Sequence, residues 1–515
     1  MSEASPSARG LRPVFGAWLL LSALTCLPYL RAGLYPPRGS QFLGVFYSIP
    51  DVYNYLSYVQ QAEDGAFLFV NKLTLPEHPG ALVNLEWWVV GRLSRLIGRH
   101  PIVAYRIFGL GVLWMLLVAV DRCLSKGGLP LSHRQAALLL VFTGAGFGGL
   151  LYEVFGPPAW RFLDLTTGLF PIISALVNPH FVVGTTLLLW SLLAFSWTPG
   201  WRGQVLGLLL ASALGLVRPY DLLVLVGVRV VMVLAGEPRP AWVPSLLPLA
   251  GLAPVAAYNY WVFYRNPAFT ALSSFPYTFP PLGFIALAFA PAALLAGVLW
   301  WPRRARPGDP SRTGELLFVA WILTGLGFLA QPVSFSLQCL VNFGLPLLAL
   351  GALGLGRLPR AVTIAVSAVF FSTGLLALRI LLSDNGAWYV PAERLRAGLA
   401  LRAQCRPGEV VFSPPDIGLY ANAYSGCKAY ASHFVAADYD ERAANVRAFY
   451  ESWTPAARAA FLDRERIRHL LLPGGAGAVP ESWLGSATPF RQVAAVGDAG
   501  RTLALYRREP DAGLP

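Results

Sequence analysis

The chain has 515 residues, of which 55% are hydrophobic and only 13% are charged. A soluble domain carries about 25% charged residues, so this composition excludes a soluble globular protein for most of the chain. The formal net charge of +13 does not indicate a nucleic-acid partner, because the basic residues lie in short loops between apolar runs, where they orient membrane helices.

Eleven segments are long and apolar enough to be predicted as membrane spans, for which about 20 mainly apolar residues suffice. They are residues 13–33, 101–121, 134–154, 174–196, 203–217, 221–236, 243–264, 281–301, 315–331, 336–355 and 360–382. Segments 203–217 and 221–236 are short, and the second contains Arg229, so a tilted hairpin or a re-entrant loop is an alternative there. An intramembrane charge also usually marks function.

The charges of the short loops predict the orientation. With the N-terminus in the cytoplasm, eleven basic residues lie inside and three lie outside, which is the bias expected of inner-membrane proteins. The inner residues are Arg122, Lys126, Arg134, Arg202, Arg239, Arg303, Arg304, Arg306, Arg312, Arg357 and Arg360, and the outer ones are Arg161, Arg218 and Arg265. We therefore predict a multi-pass protein of the cell inner membrane. Residues 1–382 would form the transmembrane bundle, including an exported loop 34–100, and residues 383–515 would form a periplasmic domain.

Two segments of the exported loop are amphipathic. In residues 51–64, Val52, Tyr55, Leu56 and Val59 form one apolar helical stripe, and residues 85–97 carry two tryptophans in a similar pattern. Helices of this kind lie in the headgroup plane of a membrane, so we expect both segments there.

The tail 383–515 has the pattern of a small α/β domain. Strands are predicted at 410–413, 428–433 and 467–472, helices at 416–424, 440–452 and 455–466, and a closing hairpin at 491–496 and 501–507. Alternating strands and helices favour a parallel sheet.

Two of the five cysteines lie in the tail, each just before a predicted strand. Neighbouring parallel strands would bring the starts of both strands together, so a disulfide between Cys405 and Cys427 is expected in an oxidising compartment. Two separate thiols are the alternative. Cys26, Cys123 and Cys339 lie in or beside apolar runs and are interpreted as packing residues.

Asp51 is the most informative single residue, because it follows Pro50 and opens the first amphipathic segment of the exported loop. As a structural residue, it would favour a helix N-terminus. As a functional residue, it would be a carboxylate general base at the membrane surface, taking a proton from an acceptor hydroxyl that attacks a sugar carbon. Motifs for a P-loop, Cys-x-x-Cys or His-Glu-x-x-His are absent from the sequence, and no metal site is predicted from histidine clusters.

The layout and four segments of the chain resemble the GT-C class of membrane glycosyltransferases, which includes protein mannosyltransferases and aminoarabinose transferases. The segments are 50–56 (Pro-Asp-Val-Tyr-Asn-Tyr-Leu), 65–74 (Gly-Ala-Phe-Leu-Phe-Val-Asn-Lys-Leu-Thr), 424–433 (Tyr-Ser-Gly-Cys-Lys-Ala-Tyr-Ala-Ser-His) and 442–450. The resemblance implies a GT-C-like bundle of about eleven helices with a soluble α/β domain. It also implies a polyprenyl-phosphate-linked sugar as donor.

The resemblance assigns roles to further residues. Many members pair two acidic residues in this loop, whereas Asp51 is followed by Val-Tyr-Asn, which leaves a divalent metal ion as an open alternative rather than an expected cofactor. Further acidic candidates are Glu77, Glu86 and Asp221. Arginine suits phosphate, so Arg218 is the first candidate to hold the donor phosphate, with Arg161 and Arg265 as others. An ion pair with Asp221 is the alternative for Arg218.

We therefore expect a membrane glycosyltransferase that moves a sugar from a polyprenyl-phosphate donor to a lipid, glycan or protein hydroxyl at the outer face. Its partners would be the lipid-linked donor and membrane lipids, and the sequence does not predict an oligomeric state. A transporter or flippase is one alternative, because the chain has many helices and an intramembrane Arg229. A non-catalytic membrane scaffold is the other, since Asp51 lacks an acidic neighbour.

Overall fold

The computed structural model describes residues 11–156, 163–165, 168–236, 239–274, 281–304, 309, 311–330, 336–436, 438–473, 490–498 and 501–508. The chain divides into two compact units. The bundle unit comprises Met1–Ala32, Tyr105–Asn259 and Pro276–Ser383, and the loop–tail unit comprises Gly33–Ala104, Tyr260–Phe275 and Asp384–Pro515. The exported loop predicted at residues 34–100 thus belongs to the loop–tail unit.

The described part of the chain contains 22 α-helices. They are α1 (Arg12–Leu34), α2 (Ile49–Glu63), α3 (Leu85–Leu96), α4 (Pro101–Lys126), α5 (Leu131–Thr143), α6 (Gly148–Phe155), α7 (Pro171–Val177), α8 (Pro179–Trp197), α9 (Gly200–Val217), α10 (Pro219–Gly236), α11 (Trp242–Leu246), α12 (Ala253–Tyr260), α13 (Thr270–Ser274), α14 (Leu282–Leu295), α15 (Arg312–Leu329), α16 (Gly344–Leu355), α17 (Arg360–Phe370), α18 (Ser372–Leu381), α19 (Ala392–Gln404), α20 (Pro415–Tyr424), α21 (Tyr439–Glu451) and α22 (Pro455–Arg464).

The described residues also form seven β-strands. They are β1 (Ser40–Phe42), β2 (Tyr389–Pro391), β3 (Val410–Phe412), β4 (Lys428–Ala429), β5 (Ile467–Pro473), β6 (Phe490–Asp498) and β7 (Arg501–Arg508). The first two form a small antiparallel pair, and the other five form a single sheet.

Nine helical stretches in the described part of the chain are long and apolar enough to cross a membrane. The number rises to eleven if each of two bent helix pairs forms one span, namely α5 with α6, bent by 51°, and α17 with α18, bent by 42°. Each of the eleven predicted segments overlaps one of these stretches. The two short segments form the 18-residue helices α9 and α10. The chain is therefore a multi-pass helical membrane protein.

Two polar side chains join the bends of these two broken spans. Asp164 accepts a hydrogen bond from the Gly148 N–H at 2.7 Å. Thr373 donates its hydroxyl to the Gly146 carbonyl at 2.6 Å and accepts the Gly149 N–H at 2.9 Å. A Cβ atom at position 148 would collide with the Asp164 carboxylate, so glycine is required for this approach. The bends thereby provide partners for backbone groups that a broken helix leaves unpaired.

Helix α2 of the loop–tail unit is buried on more than one side. Val52 and Val59 are buried as the apolar stripe predicts, but Tyr53 and Ser57 are buried as well. The reason is that α2 packs against both α3 and α20, so it is an internal helix of the loop–tail unit. Gly91 of α3 permits the close approach, since a Cβ atom there would collide with α2.

The tail forms a mixed sheet with the strand order β4-β3-β5-β7-β6. Strand β3 is parallel to β4 and β5, whereas β7 is antiparallel to β5 and β6. Helices α21 and α22 cover one face of the sheet with Phe449 and Phe461, and α19 and α20 cover the other face with Leu401 and Ile417. The sequence predicted the parallel strands and the closing hairpin. It did not predict α19 or the β1–β2 pair.

A disulfide joins Cys405 to Cys427, with their Cα atoms 5.4 Å apart. Cys405 lies between α19 and β3, and Cys427 directly precedes β4. Because β3 and β4 are parallel neighbours with Val410 opposite Lys428, their starting ends lie side by side. This is the pairing that the order of the predicted strands suggested.

We expect the C405S/C427S variant to lower the free energy of unfolding of the loop–tail unit by about 3 kcal/mol, since the bond closes a loop across 22 residues. The measurement is chemical denaturation of the detergent-solubilised protein, with C123S as the matched control, because Cys123 is a free thiol. Equal stability of C405S/C427S and the wild type would contradict a stabilising role for this bond.

Candidate functional site

Asp51 lies in the first turn of α2. Ser48, just before the helix, has a left-handed backbone conformation with φ of 49°, which costs energy in a non-glycine residue. Its carbonyl nevertheless accepts the Val52 N–H at 3.0 Å and so fixes the start of the helix. The Asp51 side chain is 39% exposed, and the positive end of the helix dipole favours its negative charge. The carboxylate is therefore both accessible and held in place.

His433 contacts this carboxylate from the tail, 382 residues further along the chain. Its Nε2 lies 3.2 Å from Asp51 Oδ1, and the imidazole is 1% exposed. The Val435 N–H donates to His433 Nδ1 at 3.1 Å, so Nδ1 is the acceptor nitrogen and Nε2 carries the proton. His433 thus donates a hydrogen bond to Asp51 and orients it. Nothing in the sequence connected these two residues, which lie far apart in the chain.

A divalent metal ion does not fit the donor set at Asp51. Mg²⁺ and Ca²⁺ require several oxygen ligands, whereas His433 presents a proton rather than a lone pair to this carboxylate. The acidic residues at the end of α2 are engaged elsewhere. Glu63 pairs with Arg402 at 2.9 Å, and Asp64 pairs with Arg99 at 3.4 Å. The chemistry of the site therefore rests on one carboxylate and one histidine.

Two buried lysines hold the loop against the tail. Lys72 donates to the Gln60 side chain at 2.7 Å and to the carbonyls of Asn422 and Ser425 at 2.8 and 2.5 Å. Lys428 donates to the carbonyls of residues 74, 75 and 76 at 2.8, 3.1 and 2.8 Å. Each ammonium therefore has three acceptors. Burial lowers the pKa of Lys72 to about 7, and it also lowers the pKa of Lys428.

The same lysines line a cleft of about 620 Å³ within the loop–tail unit. Its other charged side chains include Asp64, Glu77, Arg99 and Arg402. Glu77 is exposed at this cleft, whereas Glu86 is buried in the first turn of α3. The two acidic candidates of the loop thus lie in different surroundings, and neither has a described hydrogen bond to Asp51.

Arg218 belongs to the bundle unit, where it forms an ion pair with Asp221. Its Nε lies 3.0 Å from Asp221 Oδ2, and both side chains are buried. The guanidinium also lies over the ring of Phe181, with its central carbon 4.8 Å from the ring centre. The structure therefore shows the ion pair that the sequence analysis gave as the alternative for Arg218. A buried pair of this kind is neutral overall and strongly coupled.

The other arginine candidates are dispersed. Arg161 lies outside the described residues. Arg265 belongs to the loop–tail unit, where it is exposed beside the ring of Tyr260. Arg229 is buried in α10 and donates to the Ser196 hydroxyl and the Ser245 carbonyl, so polar groups accompany this charge inside the bundle.

Arg106 of α4 is a cation that the sequence analysis did not single out. Its Nε and Nη2 are buried and have no hydrogen-bond partner among the described residues. The central guanidinium carbon lies 3.7 Å from the centre of the Tyr29 ring. The side chain lines a small cavity of about 20 Å³, together with Cys26, Gly109 and Leu113. A buried guanidinium with unsatisfied N–H groups is suited to an anion.

No protein-family profile matches the chain, and no curated protein matches it. Solved structures do match. The arabinofuranosyltransferase AftD from Mycobacteria superposes with a TM-score of 0.56 at 15% identity, over 99% of this chain and 40% of that one. The chain thus spans less than half of the length of AftD.

Two further matches cover a larger share of the solved structure. The archaeal oligosaccharyltransferase AglB from Archaeoglobus fulgidus, in complex with an inhibitory peptide and a dolichol-phosphate, has a TM-score of 0.55 at 11% identity over 90% of this chain and 69% of that one. ArnT from Cupriavidus metallidurans, bound to undecaprenyl phosphate, has a TM-score of 0.50 at 14% identity over 95% of this chain and 98% of that one.

All three neighbours are GT-C glycosyltransferases, and at these identities the likeness establishes the fold. It confirms the resemblance noted in the sequence: the chain has the GT-C fold of membrane glycosyltransferases.

Proposed function

We propose that this protein is a membrane glycosyltransferase that moves a sugar from a polyprenyl-phosphate donor to a hydroxyl acceptor at the outer face of the inner membrane. The observation that carries the proposal is the accessible Asp51 carboxylate, oriented by the buried His433 at 3.2 Å. The GT-C fold supports it, as do the dolichol-phosphate and undecaprenyl phosphate bound to AglB and ArnT.

In the proposed reaction, Asp51 takes the proton of the acceptor hydroxyl while the hydroxyl oxygen attacks the anomeric carbon of the donor sugar. The bond from that carbon to the phosphate oxygen breaks, and the polyprenyl phosphate leaves with the electron pair. A positioned carboxylate base contributes about 10²–10⁴-fold to such a step. His433 is a positioning residue, because it donates a hydrogen bond to Oδ1 of Asp51. The other carboxylate oxygen, Oδ2, is left to take the proton.

The leaving phosphate requires a cation, and Arg106 is a further candidate for this role beside Arg218. Arg106 has two buried N–H groups without a partner among the described residues, whereas Asp221 already neutralises Arg218. We therefore add Arg106 to Arg218, Arg161 and Arg265 as a donor-phosphate residue and expect it to contribute most.

A transporter of lipid-linked substrates remains the second candidate because of the two bent spans of the bundle unit. Discontinuous helices often build substrate sites in transporters, and the bent pairs α5–α6 and α17–α18 have this form. Movement of undecaprenyl-phosphate sugars across liposomes without release of undecaprenyl phosphate would favour transport over transfer.

The Asp51→Asn variant should lower sugar transfer by about 10²–10⁴-fold, because asparagine cannot accept the proton. The assay follows release of undecaprenyl phosphate by mass spectrometry, using the protein in nanodiscs with a panel of undecaprenyl-phosphate pentoses and hexoses and an envelope lipid extract as acceptor. Asp440→Asn is the matched control, since Asp440 is an exposed residue in the first turn of α21. Unchanged transfer by folded Asp51→Asn would show that Asp51 is not the base.

His433→Phe should lower kcat by up to about 10²-fold, because it removes the hydrogen bond that orients Asp51, and it should leave KM for the donor near the wild-type value. His433→Gln retains an N–H donor and should restore part of kcat. If both variants lost the same activity, or if KM alone changed, His433 would not act through Asp51.

Arg106→Gln should weaken binding of undecaprenyl phosphate by about 10–100-fold, as expected for the loss of hydrogen bonds from a charged group. Native mass spectrometry of the purified protein measures this binding. Arg122→Gln is the control on the same helix, because Arg122 is exposed beside Trp190. The R218M/D221L variant should weaken binding less than Arg106→Gln does, because Asp221 already neutralises Arg218. Loss of binding there with normal binding by Arg106→Gln would place the phosphate at Arg218 instead.

A further inference from the structure

We propose that Cys405, Cys427 and His469 form a redox-controlled zinc site in the loop–tail unit. In the oxidised protein, the two sulfurs are joined in the disulfide. After reduction, the two thiolates and one imidazole nitrogen would bind Zn²⁺. This site is separate from Asp51 and does not depend on the proposed sugar transfer.

The three side chains already converge on one point of the sheet. Cys405 and Cys427 precede the parallel strands β3 and β4, and His469 lies in β5, on the other side of β3. The ligand atoms of the three residues lie within 4.8 Å of one another. Zinc binds sulfur at about 2.3 Å and imidazole nitrogen at about 2.0 Å, so small side-chain rotations after reduction bring all three atoms to one ion.

His469 has the hydrogen bonding of a metal ligand. It is fully buried, and its Nε2 lies 2.8 Å from Glu409 Oε2. Its Nδ1 is buried and has no hydrogen-bond partner among the described residues. Because Nε2–H donates this hydrogen bond to the carboxylate, Nδ1 carries the lone pair. Metal-binding histidines characteristically donate their other N–H to a carboxylate. A buried nitrogen without a partner is otherwise costly, and an apolar side chain would avoid that cost.

The site adjoins the cleft that Lys72 and Lys428 line. Cys405, Gly408 and Gly426 belong to the wall of this cleft, and Cys405 is only half-buried, so a reductant can approach its sulfur. Three protein ligands leave the fourth position of a tetrahedral zinc ion open. That position would take water or an anionic ligand from the cleft.

The chemistry balances with a dithiol reductant. Two electrons and two protons pass from the dithiol to the Cys405–Cys427 bond, which becomes two thiols while the dithiol becomes a disulfide. Binding of Zn²⁺ then releases the two thiol protons. The zinc dithiolate has no net charge, which suits a buried position better than an isolated ion would.

The test is metal binding by the full-length protein in detergent, which is independent of sugar transfer. The protein is reduced with a phosphine, which is then removed anaerobically, and Co²⁺ is added as a spectroscopic probe before displacement with Zn²⁺. Reduced wild type should bind one equivalent and show thiolate-to-cobalt charge-transfer bands and the d–d bands of tetrahedral cobalt. The oxidised protein should bind none. Failure of the fully reduced, folded protein to bind would overturn the proposal.

Three variants separate this site from adventitious thiol binding. His469→Asn should abolish the tetrahedral spectrum, and Glu409→Gln should weaken zinc binding by about 10–100-fold. His78→Asn is the control, because His78 lines the same cleft but is not a proposed ligand, and it should bind as wild type does. Wild-type affinity in His469→Asn would reject the assignment. If His469→Asn does not fold, wild-type affinity in Glu409→Gln would reject it as well.

Discussion

Lys72 and Lys428 place two ammonium groups in the interior of the loop–tail unit, and each can stay there because three oxygens accept its three N–H bonds. Burying a charge without such partners costs several kcal/mol or more. One lysine belongs to the loop and the other to the tail, and each bonds to the opposite segment. Lys72 reaches from the loop to the end of α20, whereas Lys428 reaches from β4 back to loop residues 74–76. Both sets of bonds therefore attach the loop to the tail.

The candidate active site depends on this attachment. Helix α20 packs against α2 through Tyr53, whose ring contacts Tyr420 and Tyr424 edge-on and whose hydroxyl donates to the Leu43 carbonyl at 2.9 Å. The chain then runs through β4 to His433. The residue that orients Asp51 is thus carried by the same tail segment that the lysines fix. A carboxylate that must stay accessible is positioned by groups that are almost entirely buried.

The sequence predicted what depends on local patterns. Apolar runs predicted every span, and alternating strands and helices predicted the parallel part of the tail sheet. The sequence did not predict contacts between residues that lie hundreds of positions apart, because the partner of a side chain depends on how the chain packs. This applies to Asp51 with His433 and to the three acceptors of Lys72. One signal was present: the chain has three lysines against 37 arginines, so each lysine occupies a position where arginine is otherwise used. Arg106 gave no such signal, because only the fold shows that its N–H groups lack partners.

The bends of the bundle unit also impose an order of assembly. The Gly146 carbonyl and the Gly149 N–H obtain their partner from Thr373, more than 220 residues later in the chain. During synthesis from the N-terminus, the first broken span exists before that hydroxyl does. Unpaired backbone groups are costly in lipid, so the first bend can complete its hydrogen bonds only after the span that contains Thr373 is in place. The Thr373 hydroxyl thus makes closure of the bundle a late event, and a chain truncated before it would keep its first bend incomplete.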